Sequence, residues 1–190
     1  MIFIACGFPK QPFKLHSVSE TENLCRSKFS VGSVDLVSAG HPGCGNDPEM
    51  IIWIAYEGFL PADSGHSGSI PDGWCVLENY RYKQQYRLLE TVGNDNLVML
   101  PPAHDAGNPD QTQKHFKTIP HENGHVKILN AAADQILDMK FDPVGDNYIN
   151  QVRANSPKNS IESKCLFTFK EVDDGPGEVT SILAISTQLK

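Results

Sequence analysis

A two-residue turn signal recurs along this chain at a constant interval. Asp72-Gly73, Asn123-Gly124 and Asp174-Gly175 follow one another in steps of 51 residues. Asp-Gly and Asn-Gly pairs accept positive φ and favour tight turns between β-strands. A turn that returns with a fixed period predicts that the structural unit after it returns as well.

Short apolar stretches follow the first two of these turns in the same order. They are rich in Val, Ile, Leu and aromatic residues and are separated by Gly, Pro, Asn and Asp, which is typical of β-strands. The second unit contains WCVLEN (74–79), YRLLET (86–91), NLVMLP (96–101) and KHFKTI (114–119). The third unit contains HVKILN (125–130), QILDMK (135–140), YINQVRA (148–154) and CLFTFKEV (165–172).

The first unit has the same order of stretches but is longer. We assign its strands to IFIAC (2–6), NLCRSKF (23–29), SVDLVSA (33–39) and MIIWIAY (50–56). Three units of four strands predict an all-β β-trefoil with pseudo-threefold symmetry, in which six strands form a barrel and six form hairpins that cap one end. We expect one domain over 1–190, with repeats at about 1–71, 72–122 and 123–173 and a short C-terminal extension at 174–190.

The charge of the chain argues against two classes of partner. The formal net charge is −7, and the 16 Lys and Arg residues are scattered along the sequence. Nucleic acids and anionic membranes bind concentrated basic surfaces, and no apolar run approaches the length of a membrane span. We therefore expect neither a nucleic-acid partner nor membrane insertion.

The cysteines and the first residues of the chain indicate in which cellular compartment the protein is found. The chain has five cysteines, with irregular spacing and without a Cys-x-x-Cys pair, which favours buried thiols over a disulfide framework or a zinc site. The start MIFIACGF lacks the basic segment of a signal peptide. Both features favour a cytoplasmic protein. A secreted protein with one or two disulfides, released by processing, stays open as the alternative.

Two motifs suggest catalysis, but their context favours loops. HENGH (121–125) matches the His-Glu-x-x-His zinc motif, which works only on a helix. Pro120 precedes it and Asn123-Gly124 occupies its middle, so we predict a turn between repeats. SGHSGS (64–69) lacks the helix that follows a nucleophilic serine. We expect no catalytic residue, no metal and no cofactor.

The segment ILNAAADQILDM (128–139) resembles the opening of a ricin-B-like lectin repeat. The resemblance implies a sugar pocket in which Asp138 accepts hydrogen bonds from sugar hydroxyls and Asn159 completes the polar set. The family's aromatic platform is replaced by Val152, and Tyr148 is the nearest substitute. The resemblance therefore implies a non-enzymatic carbohydrate-binding protein whose partner is a glycan or glycoprotein.

The other two units match the lectin pattern less well. Glu90 stands at the place of Asp138 in the second unit, and the first unit has no acid at this place. The closing Gln-x-Trp of the lectin family is absent from all three units, and Trp53, Phe116 and Phe167 are expected to fill the core instead. At most one sugar pocket is expected, in the third repeat.

The chain also resembles the fungal mycocypins, which are protease inhibitors with a defensive role. The resemblance rests on the missing Gln-x-Trp, the long loop in the first unit and the strand MIIWIAY. It implies that exposed loops bind cysteine or serine proteases. The loops would be Gly7–Glu22, with Gly7, Pro9 and Pro12; Ser38–Glu49, with His41, Pro42 and Gly43; and a third loop with Asn79, Arg81 and Lys83. We prefer the lectin because it is the commoner function of such trefoils.

Overall fold

The structure, a computed structural model, describes residues 1–31, 34–40, 43–82, 85–101, 108–144 and 147–172, with the backbone alone at 31, 143–144 and 147–148. This part of the chain forms twelve β-strands and no α-helix. The strands are β1 (Phe13–Ser17), β2 (Glu22–Val31), β3 (Val34–Ala39), β4 (Ile52–Tyr56), β5 (Val76–Asn79), β6 (Glu90–Val92), β7 (Leu97–Leu100), β8 (Phe116–Pro120), β9 (Val126–Asn130), β10 (Gln135–Val144), β11 (Asn147–Ser156) and β12 (Phe167–Glu171). Short 3₁₀ turns lie at Pro48–Ile51, Ala62–Ser64, Tyr80–Tyr82, Thr112–Lys114, Glu122–Gly124 and Ser163–Cys165.

Six strands close a barrel, in the order β1, β4, β5, β8, β9 and β12, and β12 pairs with β1 to complete it. The other six form the hairpins β2–β3, β6–β7 and β10–β11. The inner strands of these hairpins, β3, β7 and β11, pair with one another. The predicted all-β β-trefoil of three four-strand repeats is confirmed. The predicted extension at 174–190 lies outside the described residues.

The barrel shows its pseudo-threefold symmetry in the pairing of first and fourth strands. Phe13 pairs with Trp53, Cys75 with Phe116, and Val126 with Phe167. Trp53, Phe116 and Phe167 are all buried in one core cluster, as predicted. Trp53 is anchored further because its indole Nε1 donates a hydrogen bond to the Leu24 carbonyl at 3.1 Å.

The assignment of the first strand to residues 2–6 is wrong. Strand β1 is Phe13–Ser17, where buried and partly buried residues alternate, as a barrel strand with one face in the core requires. The segment 2–6 lies before the barrel and makes one isolated bridge, between Phe3 and Pro9. Gly7–Glu22 is therefore not one long loop, because a barrel strand occupies its middle.

The prediction of unpaired thiols is also wrong. Cys6 is bonded to Cys75, and Cys25 is bonded to Cys44, with Cα–Cα distances of 5.9 and 5.8 Å. Cys165 is a free, buried thiol. The Cys6–Cys75 bridge connects the segment before β1 to the residue that directly precedes β5, near the start of the second repeat. The disulfide thus cross-links the first repeat to the second.

The HENGH segment forms a turn, as predicted. Glu122–Gly124 is a single 3₁₀ turn, and Asn123 and Gly124 have φ of 58° and 75°. This left-handed backbone interrupts any α-helix, so the two histidines cannot lie one helical turn apart on one face. Across the described ranges, no helix has the length and apolar character needed to cross a membrane.

Candidate functional site

The site begins at the β10–β11 hairpin of the third repeat, where Asp138 and Arg153 are cross-strand partners. A register shift next to this pair matches Ile136 with Ser156 but Leu137 with Ala154. The shift leaves one extra residue in β11, a β-bulge that redirects the neighbouring side chains. Leu137 and Ala154 pack in the barrel core, whereas the bulge brings Ser156 to the side of Asp138.

The Asp138 carboxylate accepts a hydrogen bond on one oxygen, and its other oxygen has an ion pair but no hydrogen bond. The Ser156 hydroxyl donates to Asp138 Oδ2 at 2.7 Å, and the residue is 3% exposed. Arg153 Nη2 lies 3.6 Å from Oδ1, beyond hydrogen-bonding distance. Among the described residues, neither Oδ1 nor Arg153 Nε has a hydrogen-bond partner. Buried polar atoms without hydrogen bonds each cost roughly 1–3 kcal/mol, so a group that bonded to both atoms would stabilise the site.

The equivalent positions in the other repeats are occupied differently. Cys25 pairs with Ser38 and Glu90 pairs with Met99, in the same register as Asp138 with Arg153. Cys25 is taken up by its disulfide. Glu90 Oε2 lies 3.4 Å from the ammonium of Lys114, a buried residue of the following turn. Of the three equivalent positions, the third repeat alone holds an acid with a buried oxygen that accepts no hydrogen bond within the described residues.

The other two predicted sugar-binding residues lie in the turn after β11 and near the tip of the β10–β11 hairpin. Asn159 is exposed in the turn after β11, which is closed by a hydrogen bond from Ser160 N to the Pro157 carbonyl at 2.9 Å. Tyr148 pairs with Pro143 near the tip of the hairpin, and only its backbone is described. Tyr148 and Arg153 are roughly 16 Å apart along the strand at about 3.3 Å per residue. The sugar-binding role of Asp138, Tyr148 and Asn159 stays a prediction.

The residues that do surround Asp138 were missed by the sequence interpretation. Arg153 and Ser156 become neighbours of Asp138 only through the register of β10 with β11 and its one-residue shift. The sequence does contain a partial signal, because Arg153 is a charged residue inside the apolar stretch YINQVRA. A cation inside a strand suggests a paired carboxylate on the adjacent strand.

Several residues assigned to protease-binding loops are buried. Pro9 and Gly43 are buried, and a side chain at Gly7 would collide with Thr118. Asn79 is fully buried, and its amide nitrogen donates to the carbonyls of Met50 and Ile52 at 2.8 and 3.2 Å. The expectation of an exposed asparagine is therefore wrong, because Asn79 ends a barrel strand and satisfies the backbone of the preceding turn.

The other residues assigned to the protease-binding loops differ in how exposed they are. Arg81 is about half exposed and pairs with Asp47 and Glu49 at 3.3 and 3.4 Å, so its charge is balanced. Pro12 is partly buried. His41, Pro42 and Lys83 lie outside the described residues.

One hollow of about 600 Å³ lies next to the start of β1. Its apolar wall includes Pro9, Pro12, Pro48, Ile52 and Tyr80. Its volume is within the range of small-ligand sites. It brings two of the predicted inhibitor residues, Pro9 and Pro12, to a common concave surface.

A second buried carboxylate lies in the second repeat. Glu78 is fully buried and accepts hydrogen bonds from the Tyr56 hydroxyl at 2.9 Å and from the Tyr86 backbone N–H at 2.8 Å. Burial raises the pKa of Glu78 to about 7, although these hydrogen bonds partly oppose the shift. The hydroxyl of Tyr86 donates to Asp63 at 2.7 Å. Burial and this carboxylate raise the pKa of Tyr86 to about 12.

The raised pKa of Glu78 predicts a pH dependence of stability. The folded protein holds the Glu78 proton up to about pH 7, whereas the unfolded chain releases it near the ordinary value of 4.5. Stability should therefore fall as pH rises through this window, by at most about 3 kcal/mol. We expect Glu78→Gln to flatten this part of the curve measured by urea unfolding at pH 5 and pH 8. The exposed Glu122→Gln is the control, and an unchanged slope in Glu78→Gln would contradict the assignment.

The fold is similar to that of solved proteins of distant sequence. A designed three-fold symmetric protein, ThreeFoil, matches with a TM-score of 0.56 and 12% identity, over 85% of this chain and 99% of that one. The cytolethal distending toxin of Haemophilus ducreyi matches with a TM-score of 0.59 and 11% identity, over 95% and 99% of the two chains. An exo-β-1,3-galactanase from Clostridium thermocellum matches with a TM-score of 0.58 and 12% identity, over 86% of this chain and 31% of that one.

These similarities concern the fold. No protein-family model and no curated protein sequence matches this chain. The strand pairing, the threefold-related core residues and the similarity to a designed three-fold symmetric protein agree with one another. The chain is a β-trefoil protein.

Proposed function

We propose that the protein is a non-enzymatic carbohydrate-binding protein with one sugar pocket, in the third repeat. The observation that carries the proposal is the buried Oδ1 of Asp138, which accepts no hydrogen bond within the described residues. Ionised carboxylates accept hydrogen bonds strongly, and a sugar offers adjacent hydroxyl donors in a fixed geometry. Ser156 holds the other oxygen, so the acceptor is oriented before a ligand arrives.

The differences between repeats support the same function. A purely structural acid would be expected to be neutralised, as Glu90 is by Lys114. Asp138 is also ion-paired, with Arg153 at 3.6 Å, but this pair leaves Asp138 Oδ1 and Arg153 Nε without hydrogen bonds, and such an incompletely bonded buried pair is unfavourable without a role. The galactanase of similar fold adds weak support, because its name describes an enzyme that acts on a carbohydrate.

The disulfides support a location where glycans are accessible. Disulfide bonds persist in oxidising compartments and are rare in the cytosol. Two bridges in this chain therefore favour the secreted alternative over the cytoplasmic one. We propose that the protein meets glycans or glycoproteins outside the cytosol.

A glycan array tests the proposal with a matched pair of variants. Wild type is expected to bind at least one class of glycan, and Asp138→Asn is expected to lose at least about tenfold in affinity, because a charged hydrogen-bond acceptor is typically worth 1.5–3 kcal/mol. Glu90→Gln changes the equivalent position of the second repeat and should bind as wild type does. Thermal unfolding of each variant controls for misfolding.

Two outcomes would overturn the sugar proposal. One is that folded wild type binds no glycan, and the other is that Asp138→Asn and Glu90→Gln lose affinity equally. The inhibitor alternative, in which exposed loops bind a protease, predicts a different result. Inhibition of papain or trypsin at micromolar protein, without glycan binding, would replace the sugar proposal with this one.

A further inference from the structure

We infer that the Asp138 pocket selects sugars that carry a carboxylate, such as uronic acids, over the corresponding neutral hexoses. This inference rests on the proposed function and adds to it the class of ligand. The reason is Arg153, which lies directly across the hairpin from Asp138, is partly exposed, and has a buried Nε that donates no hydrogen bond. A sugar with both hydroxyl and carboxylate groups would satisfy the two groups of the site together.

The geometry of Arg153 suits a carboxylate ligand. Its Nη2 lies 3.6 Å from Asp138 Oδ1, and the Arg153 side chain is 16% exposed, against 4% for Asp138. Arg153 is thus the more accessible member of the pair. Guanidinium groups bind carboxylates through two parallel N–H donors, a geometry that an ammonium cannot reproduce. An incoming carboxylate that pairs with Arg153 and draws its guanidinium toward the surface would uncover the buried Asp138 Oδ1 for a neighbouring hydroxyl.

The equivalent positions show that Arg153 is specific to this repeat. Ser38 and Met99 occupy its place in the first and second repeats. Neither is charged, so the trefoil framework does not require a cation at this position. The only acid with a buried oxygen that accepts no hydrogen bond among the three equivalent positions therefore coincides with the only cation opposite it.

The other charges near the pocket do not cancel this preference. Lys164 Nζ lies 3.0 Å from Glu162 Oε2. Its pKa is raised by the hydrogen bond and charge of Glu162, and Asp138 adds to this effect. Lys164 therefore remains positively charged and paired. Asp138 and Glu162 are thus matched by Arg153 and Lys164, and an anionic ligand meets no net negative charge among these four residues.

The net negative charge of the protein makes a preference for acidic sugars an informative observation. The chain has a net charge of −7, so long-range electrostatics disfavour acidic ligands. Preferential binding of an acidic sugar would therefore have to come from a local contact. Such a contact weakens only moderately with salt if the pair is partly buried.

The experiment compares uronic-acid-terminated oligosaccharides with the same oligosaccharides terminated by glucose or galactose, titrated calorimetrically. Wild type should bind the acidic members at least about tenfold more tightly, as one charge-assisted bidentate pair would provide. Arg153→Gln should bring the two affinities to parity while still binding sugar. Arg153→Lys keeps the charge next to Asp138 and should retain part of the preference. Arg81→Gln is the control arginine on the surface.

The outcomes separate this inference from the proposed function. Equal or tighter binding of neutral sugars by wild type overturns the acidic-sugar preference and leaves the sugar pocket standing. A preference that survives in both Arg153 variants also overturns it. If wild type binds neither set, both proposals fail. Because wild-type selectivity and Arg153→Lys are each informative, the test does not depend on the folding of Arg153→Gln.

Discussion

Replacing Cys6 and Cys75 by alanine is expected to lower the free energy of unfolding by about 4 kcal/mol. The two cysteines are 69 residues apart, and removing a cross-link of this length returns a large conformational entropy to the unfolded chain. Both residues are also part of the main core cluster. Cys75 lies in the bridge with Phe116 that joins β5 to β8, so the bond is anchored at the closure of the barrel.

The Cys25–Cys44 bridge provides the comparison. Its cysteines are 19 residues apart, for which the same entropy argument gives about 3 kcal/mol. Urea unfolding of the two double-alanine variants measures both values, and titration of free thiols in the denatured wild type should find Cys165 alone. Three or more free thiols in unreduced protein, or an unchanged stability in the Cys6/Cys75 variant, would contradict the assignment.

Phe167→Ala is expected to destabilise the protein by about 3–5 kcal/mol, because it opens a cavity in the core. Phe167 is fully buried and is paired both with Ser17 of β1 and with Val126 of β9. It therefore lies where the third repeat closes against the first. Its equivalent Phe116 is equally buried, so Phe116→Ala should show a loss of similar size.

Equilibrium unfolding of both variants tests this prediction. Phe59→Ala is the control, since Phe59 is 66% exposed and its truncation should change stability by less than about 0.5 kcal/mol. A loss below about 1 kcal/mol in Phe167→Ala would mean that the core does not depend on this ring.

The repeat architecture could be predicted because its signals are local. The Asn123-Gly124 turn and the equal spacing of Phe116 and Phe167 are visible in a linear sequence. The first strand was misplaced because residues 2–6 are more apolar than Phe13–Ser17. The true strand is half polar, and its identity follows from pairing with β4 and β12, which a local pattern does not contain.

The chemistry of the site depended more strongly on tertiary structure. Asp138 was found through a motif, whereas Arg153 and Ser156 join it only through strand register and a bulge. The disulfides could not be predicted from the sequence for the same reason, since Cys6 and Cys75 approach each other only when the barrel closes. Asn79 was expected in a loop because it follows an apolar stretch. It is buried because three main-chain groups beside it require an amide partner.

The divergence of the three hairpins sets the valency of the proposed lectin. At the three symmetry-related positions, Cys25 is held in a disulfide and Glu90 in an ion pair, so Asp138 is the position left to contact a ligand. One molecule with a single pocket holds one glycan chain and cannot bridge two cells. A protein with two linked sites binds a surface strongly, because the first contact raises the effective concentration of the second site near its ligand. A protein with one site reaches comparable attachment only when many molecules cluster. If the proposed function holds, we expect single molecules of this protein to coat glycan-bearing surfaces without agglutinating them.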